Sequence, residues 1–92
     1  MKVKLELPLR ASGQLLYPDH YEVEVDEERH EIVLSGASAV VRLPALERSS
    51  KIRVRDSSTQ LRQVRREPRW LLVVRTPPAK EWVVSLDEDR RT

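Results

Sequence analysis

Residues 70–86 read WLLVVRTPPAKEWVVSL. Apolar side chains fill both faces of residues 70–76, and after a Pro-Pro turn Trp82, Val84 and Leu86 share one face of residues 81–86. Two such runs joined by a short proline-containing turn are typical of a β-hairpin. Because both of its faces are apolar, the first strand is expected to be central and covered on both sides.

Alternation of apolar and polar residues also marks the chain before this hairpin. Further strands are expected at residues 3–7, 21–25, 30–34, 39–43 and 51–55. A polar four-residue loop, Asp26 to Arg29, separates the second of these from the third and predicts another β-hairpin. The sequence therefore predicts a mainly β fold: one domain over residues 1–92, a small β-barrel or β-sandwich of six to seven short antiparallel strands.

Residues 57–67 leave two interpretations open. Ser57 is a suitable helix cap, Leu61 and Val64 form a narrow apolar stripe, and Pro68 would stop a helix. A short helix is the favoured interpretation. Because the segment lacks the apolar residues of a second helical turn, an Arg-rich strand or loop is the alternative interpretation.

Charge is strongly segregated along the chain. Residues 42–75 contain ten Lys or Arg and three acidic residues, which gives +7. Residues 1–41 contain four basic and eight acidic residues (−4), and residues 76–92 contain three and four (−1). The formal net charge of +2 therefore hides a basic segment, which would steer anionic partners toward it.

This basic segment supplies the candidate partner-binding residues. In a strand over 51–55 the cations share one face, and in a helix over 57–67 four arginines at positions i, i+3, i+4 and i+7 share another. The candidates are Arg48, Lys51, Arg53, Arg55, Arg62, Arg65, Arg66 and Arg69. Arginine binds phosphate and carboxylate through paired donors. The sequence thus predicts a non-catalytic binding module that docks a nucleic-acid backbone or an acidic protein surface.

An alternative is a protein–protein adaptor or a self-assembling structural subunit, whose arginines are paired with its own acidic strands. Glu22, Glu24 and Glu31 are the carboxylates available for such pairing. The succession of short strands before an acidic tail is similar to bacterial pleckstrin-homology-like domains, which are adaptors. Those domains end in a helix that covers one barrel opening, and Asp87 to Thr92 is too short to supply it. No family is assigned on this similarity.

Several functional classes lack their sequence signals. The chain has no cysteine, two separate histidines (His20 and His30) and only two glycines. A zinc site, a Gly-rich phosphate loop and a nucleophile elbow are therefore not expected. We expect no enzyme activity, cofactor, metal, small-molecule substrate or membrane span. The absence of cysteine favours a cytoplasmic location. The sequence leaves open whether the chain forms a homo-oligomer.

Overall fold

The computed structural model describes residues 1–89, and these residues form antiparallel strands and no helix. The strands are β1 (Lys2–Leu5), β2 (Leu9–Ala11), β3 (Gln14–Leu16), β4 (Asp19–Asp26), β5 (Glu31–Ser35), β6 (Val40–Pro44), β7 (Leu46–Ser49), β8 (Ser58–Gln63), β9 (Arg69–Thr76) and β10 (Lys80–Glu88). None of the described residues belongs to a helix long and apolar enough to cross a bilayer. The predicted mainly β fold is confirmed.

The strands form two antiparallel sheets that share one core. The four-stranded sheet has the order β1-β4-β5-β6, and the six-stranded sheet has the order β3-β2-β10-β9-β8 with β7 also paired to β10. Inward side chains of both sheets merge into a single buried cluster, because alternate residues of each strand point to the same face. Its largest fully buried members are Trp82, Leu5, Leu9, Leu16, Ile32, Leu34, Leu43, Leu72 and Leu86.

Both predicted hairpins are confirmed. Strands β9 and β10 pair along their length, from Thr76 opposite Lys80 to Arg69 opposite Asp87. Strands β4 and β5 pair from Asp26 opposite Glu31, so their four-residue loop lies one residue later than predicted. Strand β10 is central, since it is paired by β9 on one side and by both β7 and β2 on the other.

The predicted strand at 51–55 is wrong. After β7 the chain forms an irregular loop whose backbone contacts a turn: the Ser50 amide donates to the Ala79 carbonyl at 2.8 Å, and the Val54 amide donates to the Pro78 carbonyl at 2.8 Å. The Ser50 hydroxyl also donates to the Ile52 carbonyl at 2.8 Å and accepts from the Ile52 amide at 3.2 Å. Local bonds from serine compete with strand pairing, and two alternating aliphatic residues do not outweigh them.

The favoured helix near 57–67 is also wrong, and the alternative of an Arg-rich strand is confirmed for the part of the segment that forms β8. Pairing with β9 places Leu61 opposite Leu72 and Thr59 opposite Val74. Both β8 residues therefore point toward the core. The two-residue period of a strand places Thr59 and Leu61 on the same face, which a helix would not do. Tertiary pairing with an apolar strand outweighs the weak helical pattern.

The predicted count of six to seven strands was too low because three short strands lacked a clear alternation. Strands β2 and β3 pair through Ala11 opposite Gln14, which leaves the two-residue loop Ser12-Gly13. Both loop residues have positive φ, 50° and 76°, as a type I′ hairpin turn requires. Strand β7 follows Pro44 and Ala45 directly and pairs with β10.

Replacing Gly13 by alanine is expected to destabilise the domain by about 1 kcal/mol, because a Cβ is unfavourable at positive φ. No heavy atom lies within 4 Å of the position that this Cβ would occupy, so the effect isolates backbone strain from steric overlap. Urea unfolding at 25 °C measures the change, with the exposed Ser57→Ala as control. An unchanged midpoint for Gly13→Ala would contradict the turn assignment.

Candidate anion-binding surface

Seven of the eight candidate residues lie in two groups on either side of the middle of β8, and the eighth, Arg48, lies on β7. Lys51, Arg53 and Arg55 lie in the loop 50–57, which we call the basic loop. Four arginines lie where β8 turns into β9, a segment that we call the basic hairpin end (residues 62–69). The four β8 residues between them, 58–61, correspond to about 14 Å at about 3.4 Å per residue.

The basic loop is exposed but anchored at both ends. The side chains of Lys51, Arg53 and Arg55 are all exposed, and the hydrogen bonds to Pro78 and Ala79 fix the backbone that carries them. Between the first two lies Ile52, which is 74% exposed. The loop therefore presents cations together with an aliphatic side chain.

The basic hairpin end replaces the predicted helical face. Arg62 lies on β8, Arg65 and Arg66 lie in the turn, and Arg69 begins β9, so the four arginines do not share one helix face. The Glu67 amide donates to the Val64 carbonyl at 3.0 Å to close the turn. Arg65 has φ +50°, a conformation uncommon for residues other than glycine, asparagine and aspartate.

Most of the candidate cations have no carboxylate partner within the described chain. Arg48 pairs with Glu81 and Arg69 with Asp87, at 2.7 Å and 3.5 Å. The other six make no ion pair within 4.0 Å in residues 1–89; they are Lys51, Arg53, Arg55, Arg62, Arg65 and Arg66.

The acidic residues expected to neutralise them lie in the other sheet. Glu22 contacts the amino terminus at 3.3 Å, and Glu31 contacts Arg42 at 3.5 Å. Among residues 1–89 neither these carboxylates nor that of Glu24 makes an ion pair with any of the eight candidate residues. The positive charge of the six-stranded sheet is therefore not cancelled by these glutamates.

Glu81 is the most buried charged residue of this surface, at 9% exposed. Its two carboxylate oxygens accept hydrogen bonds from Arg48 Nε at 2.7 Å and from Arg75 Nε at 3.1 Å. These bonds, that of Arg48 first, lower the pKa of the Glu81 carboxyl below its ordinary value. The carboxylate holds two arginines from neighbouring strands in fixed positions.

The sequence reasoning missed an aliphatic row on the outer face of the six-stranded sheet. Strand pairing places Leu46 opposite Val83 and Val83 opposite Val73, with Leu71 two residues along β9. Val73 is buried yet lies outside the core cluster, because it faces away from the four-stranded sheet. The apolar pattern of residues 70–76 predicted cover on both sides, but no strand within residues 1–89 packs over this face.

The described residues offer little for other chemistries. No group of three or more His, Asp or Glu side chains within residues 1–89 is arranged to hold a metal ion. Among the aromatic rings, Trp82 and Tyr21 are buried and the Trp70 indole donates to Glu88 at 3.3 Å, whereas Tyr17 is exposed. Comparison with protein-family models, with curated proteins and with solved structures finds no match.

Proposed function

We propose that this domain is a non-catalytic binding module that docks an anionic partner through its Arg-rich residues 48–69. The observation that carries the proposal is the set of six exposed cations without an ion pair in the described chain, grouped at both ends of β8. Unpaired surface cations attract polyanions, and arginine binds phosphate or carboxylate with two parallel donors.

A nucleic-acid backbone is the first partner to test. The separation of about 14 Å between the two groups matches about four base pairs of duplex at about 3.4 Å each. If six phosphates were neutralised, the logarithm of the affinity would fall with the logarithm of salt concentration with a slope of about 5. Since Tyr17 has the one well-exposed ring among the tyrosines and tryptophans of residues 1–89, the binding is expected to rest on phosphates and to discriminate weakly between sequences.

Fluorescence anisotropy with a labelled 20-base-pair duplex, between 20 and 200 mM NaCl, tests this proposal. We expect Arg53→Glu/Arg55→Glu to weaken binding tenfold or more at low salt. The matched control Lys2→Glu/Lys4→Glu makes the same change of charge on the exposed face of β1, and it should change the affinity less than threefold. If the duplex and poly-glutamate both fail to bind at 20 mM NaCl, or if both double variants weaken binding equally, the proposal is wrong.

The aliphatic row favours a second candidate function, a protein–protein adaptor or self-assembling subunit. Leu46 is 67% exposed beside Val83 and would be covered by a partner. Under this hypothesis the two sheets, which share one core, form a β-sandwich. No terminal helix is present through residue 89, so the similarity to pleckstrin-homology-like domains gains no support from the described chain. A cytoplasmic location stays a prediction.

A further inference from the structure

The outer face of the six-stranded sheet has an aliphatic row between two charged rows. The aliphatic row contains Leu46, Val83 and Val73, which are neighbours across β7, β10 and β9. Leu46 is exposed, Val83 is half-buried and Val73 is buried, so Leu46 is the part of the row that a partner would contact. The charged row Arg48-Glu81-Arg75 borders the aliphatic row directly on one side. On the other side the pair Ser85-Leu71 separates it from a second charged row, Arg10-Asp87-Arg69. Such a layout, apolar in the middle and charged around it, is that of a docking surface rather than of a solvated sheet.

Ile52 extends this surface at the end occupied by the basic loop. It lines a groove together with Arg48, Arg75 and Glu81, so the loop lies beside the outer face. Two strongly exposed aliphatic side chains, Leu46 and Ile52, are therefore on the same side of the molecule. Two unpaired cations share that side: Lys51 lines the same groove, and Arg62 points outward on β8 opposite Leu71.

The two outer faces of the domain differ in charge. The arginines of the six-stranded sheet outnumber its carboxylates on the outer face, where Arg62 has no ion pair within residues 1–89. The outer face of the four-stranded sheet has four carboxylates and three cations instead: Glu22, Glu24, Asp26 and Glu31 against Lys2, Lys4 and Arg42. An extended negative surface would thus orient the molecule with the six-stranded sheet toward it.

We propose that this face docks on the surface of an anionic lipid bilayer, with Ile52 and Leu46 entering the boundary between headgroups and acyl chains. The inference rests on the proposed function, because the partner is again anionic, and it names that partner. Nucleic-acid phosphates would satisfy the arginines but leave both aliphatic side chains in water. A second copy of this face would bring net positive surfaces together. A bilayer supplies phosphates and an apolar layer in one plane, and arginine stems can lie along that boundary.

Sedimentation with vesicles tests the docking. We expect binding to phosphatidylcholine/phosphatidylserine vesicles (70:30) at 100 mM NaCl and little binding to pure phosphatidylcholine vesicles. Leu46→Ser/Ile52→Ser should weaken vesicle binding about fivefold or more and leave duplex affinity within twofold. Val40→Ser is the matched control, since Val40 is 65% exposed on β6 of the other sheet.

A fluorescent label tests insertion directly. The chain has no cysteine, so Ile52→Cys and Val40→Cys each give a single site for an environment-sensitive fluorophore. The label at residue 52 should shift to shorter wavelength with anionic vesicles and the label at residue 40 should not. Circular dichroism checks that each variant is folded.

The outcomes separate the two proposals. Duplex binding without vesicle binding overturns the lipid inference and leaves the anion-binding function standing. Failure with duplex, poly-glutamate and vesicles overturns both. Vesicle binding that is lost in Arg53→Glu/Arg55→Glu but unchanged in Leu46→Ser/Ile52→Ser overturns the aliphatic docking, because charge alone would then explain it. Self-association of the wild type that Leu46→Ser/Ile52→Ser abolishes, without vesicle binding, assigns the face to a second copy and also overturns the inference.

Discussion

Replacing Trp82 by alanine is expected to lower the free energy of unfolding by about 3–5 kcal/mol, as truncation of large buried aromatic residues does. The Trp82 side chain is 0% exposed and is the largest of the fully buried ones. Its indole Nε1 donates to Thr76 Oγ1 at 3.2 Å, and its ring centroid lies 5.7 Å from that of His30. Domains of this size have about 5–15 kcal/mol of stability, so the variant should be close to unfolded at 37 °C.

Urea unfolding followed by circular dichroism measures this loss, because removal of one tryptophan would complicate fluorescence. Ile52→Ala is the control: Ile52 is also a large apolar residue but is 74% exposed, and its change should stay within about 0.5 kcal/mol. Trp82→Phe should fall between the two, since it keeps an aromatic ring and loses the hydrogen bond. A loss below about 1.5 kcal/mol for Trp82→Ala would contradict the position of this residue in the core.

The parts of the fold that were predictable are those encoded by neighbouring residues. The turn at Pro77-Pro78 and the polar loop after Asp26 each lie between runs with clear alternation, so both hairpins follow from local sequence. Strands β2 and β3 have three residues each, too few to show a period, although their Ser12-Gly13 turn was a usable signal.

The two wrong assignments share a cause, which is that pairing depends on distant residues. Residues 51–55 alternate as a strand does, yet Ser50 and Val54 bond to the turn at Pro78 and Ala79. Residues 58–63 lack a full apolar period, yet β9 offers them a complete partner edge. The sequence alone does not show which strand edge is free to pair with a given segment.

The candidate surface was predictable in charge but not in shape. The eight basic residues could be counted from the sequence, whereas the division of seven of them into two groups depends on β8 being a strand. The aliphatic row could not be found, because it joins Leu46, Val73 and Val83 from three strands whose register is set by non-local pairing. The sequence signal for it was the apolar character of both faces of residues 70–76, because the row crosses the outer face of that strand.

Replacing Glu81 by glutamine is expected to cost about 2 kcal/mol at pH 7, because the Glu81 carboxylate accepts two charge-assisted hydrogen bonds in a largely buried position. The half-exposed Arg48 and Arg75 recover part of their hydration, which keeps the loss below that of a fully buried pair. Both arginines belong to the docking face, so the variant also removes the group that positions them.

This contribution must depend on pH with a defined sign. The arginine hydrogen bonds lower the pKa of Glu81 in the folded state, so the folded protein binds fewer protons at this site than the unfolded chain. The stabilisation is therefore present above the ordinary carboxyl value of 4.5 and is lost as the pH falls below it toward the folded pKa. The difference in unfolding free energy between wild type and Glu81→Gln should shrink as the pH is lowered from 7 to 3.

Urea unfolding at pH 7, 5, 4 and 3 measures this difference, with Glu24→Gln as control. Glu24 is exposed on β4 and makes no ion pair within residues 1–89, so its variant should differ from wild type by less than about 0.5 kcal/mol throughout. The loss of unfolding free energy in Glu81→Gln could instead be the same from pH 7 to pH 3. That result would show that packing of this side chain, and not its ionised carboxylate, joins β7, β9 and β10 at this position. A Glu81→Gln variant that is as stable as the wild type at pH 7 would contradict the contribution of the two arginine bonds.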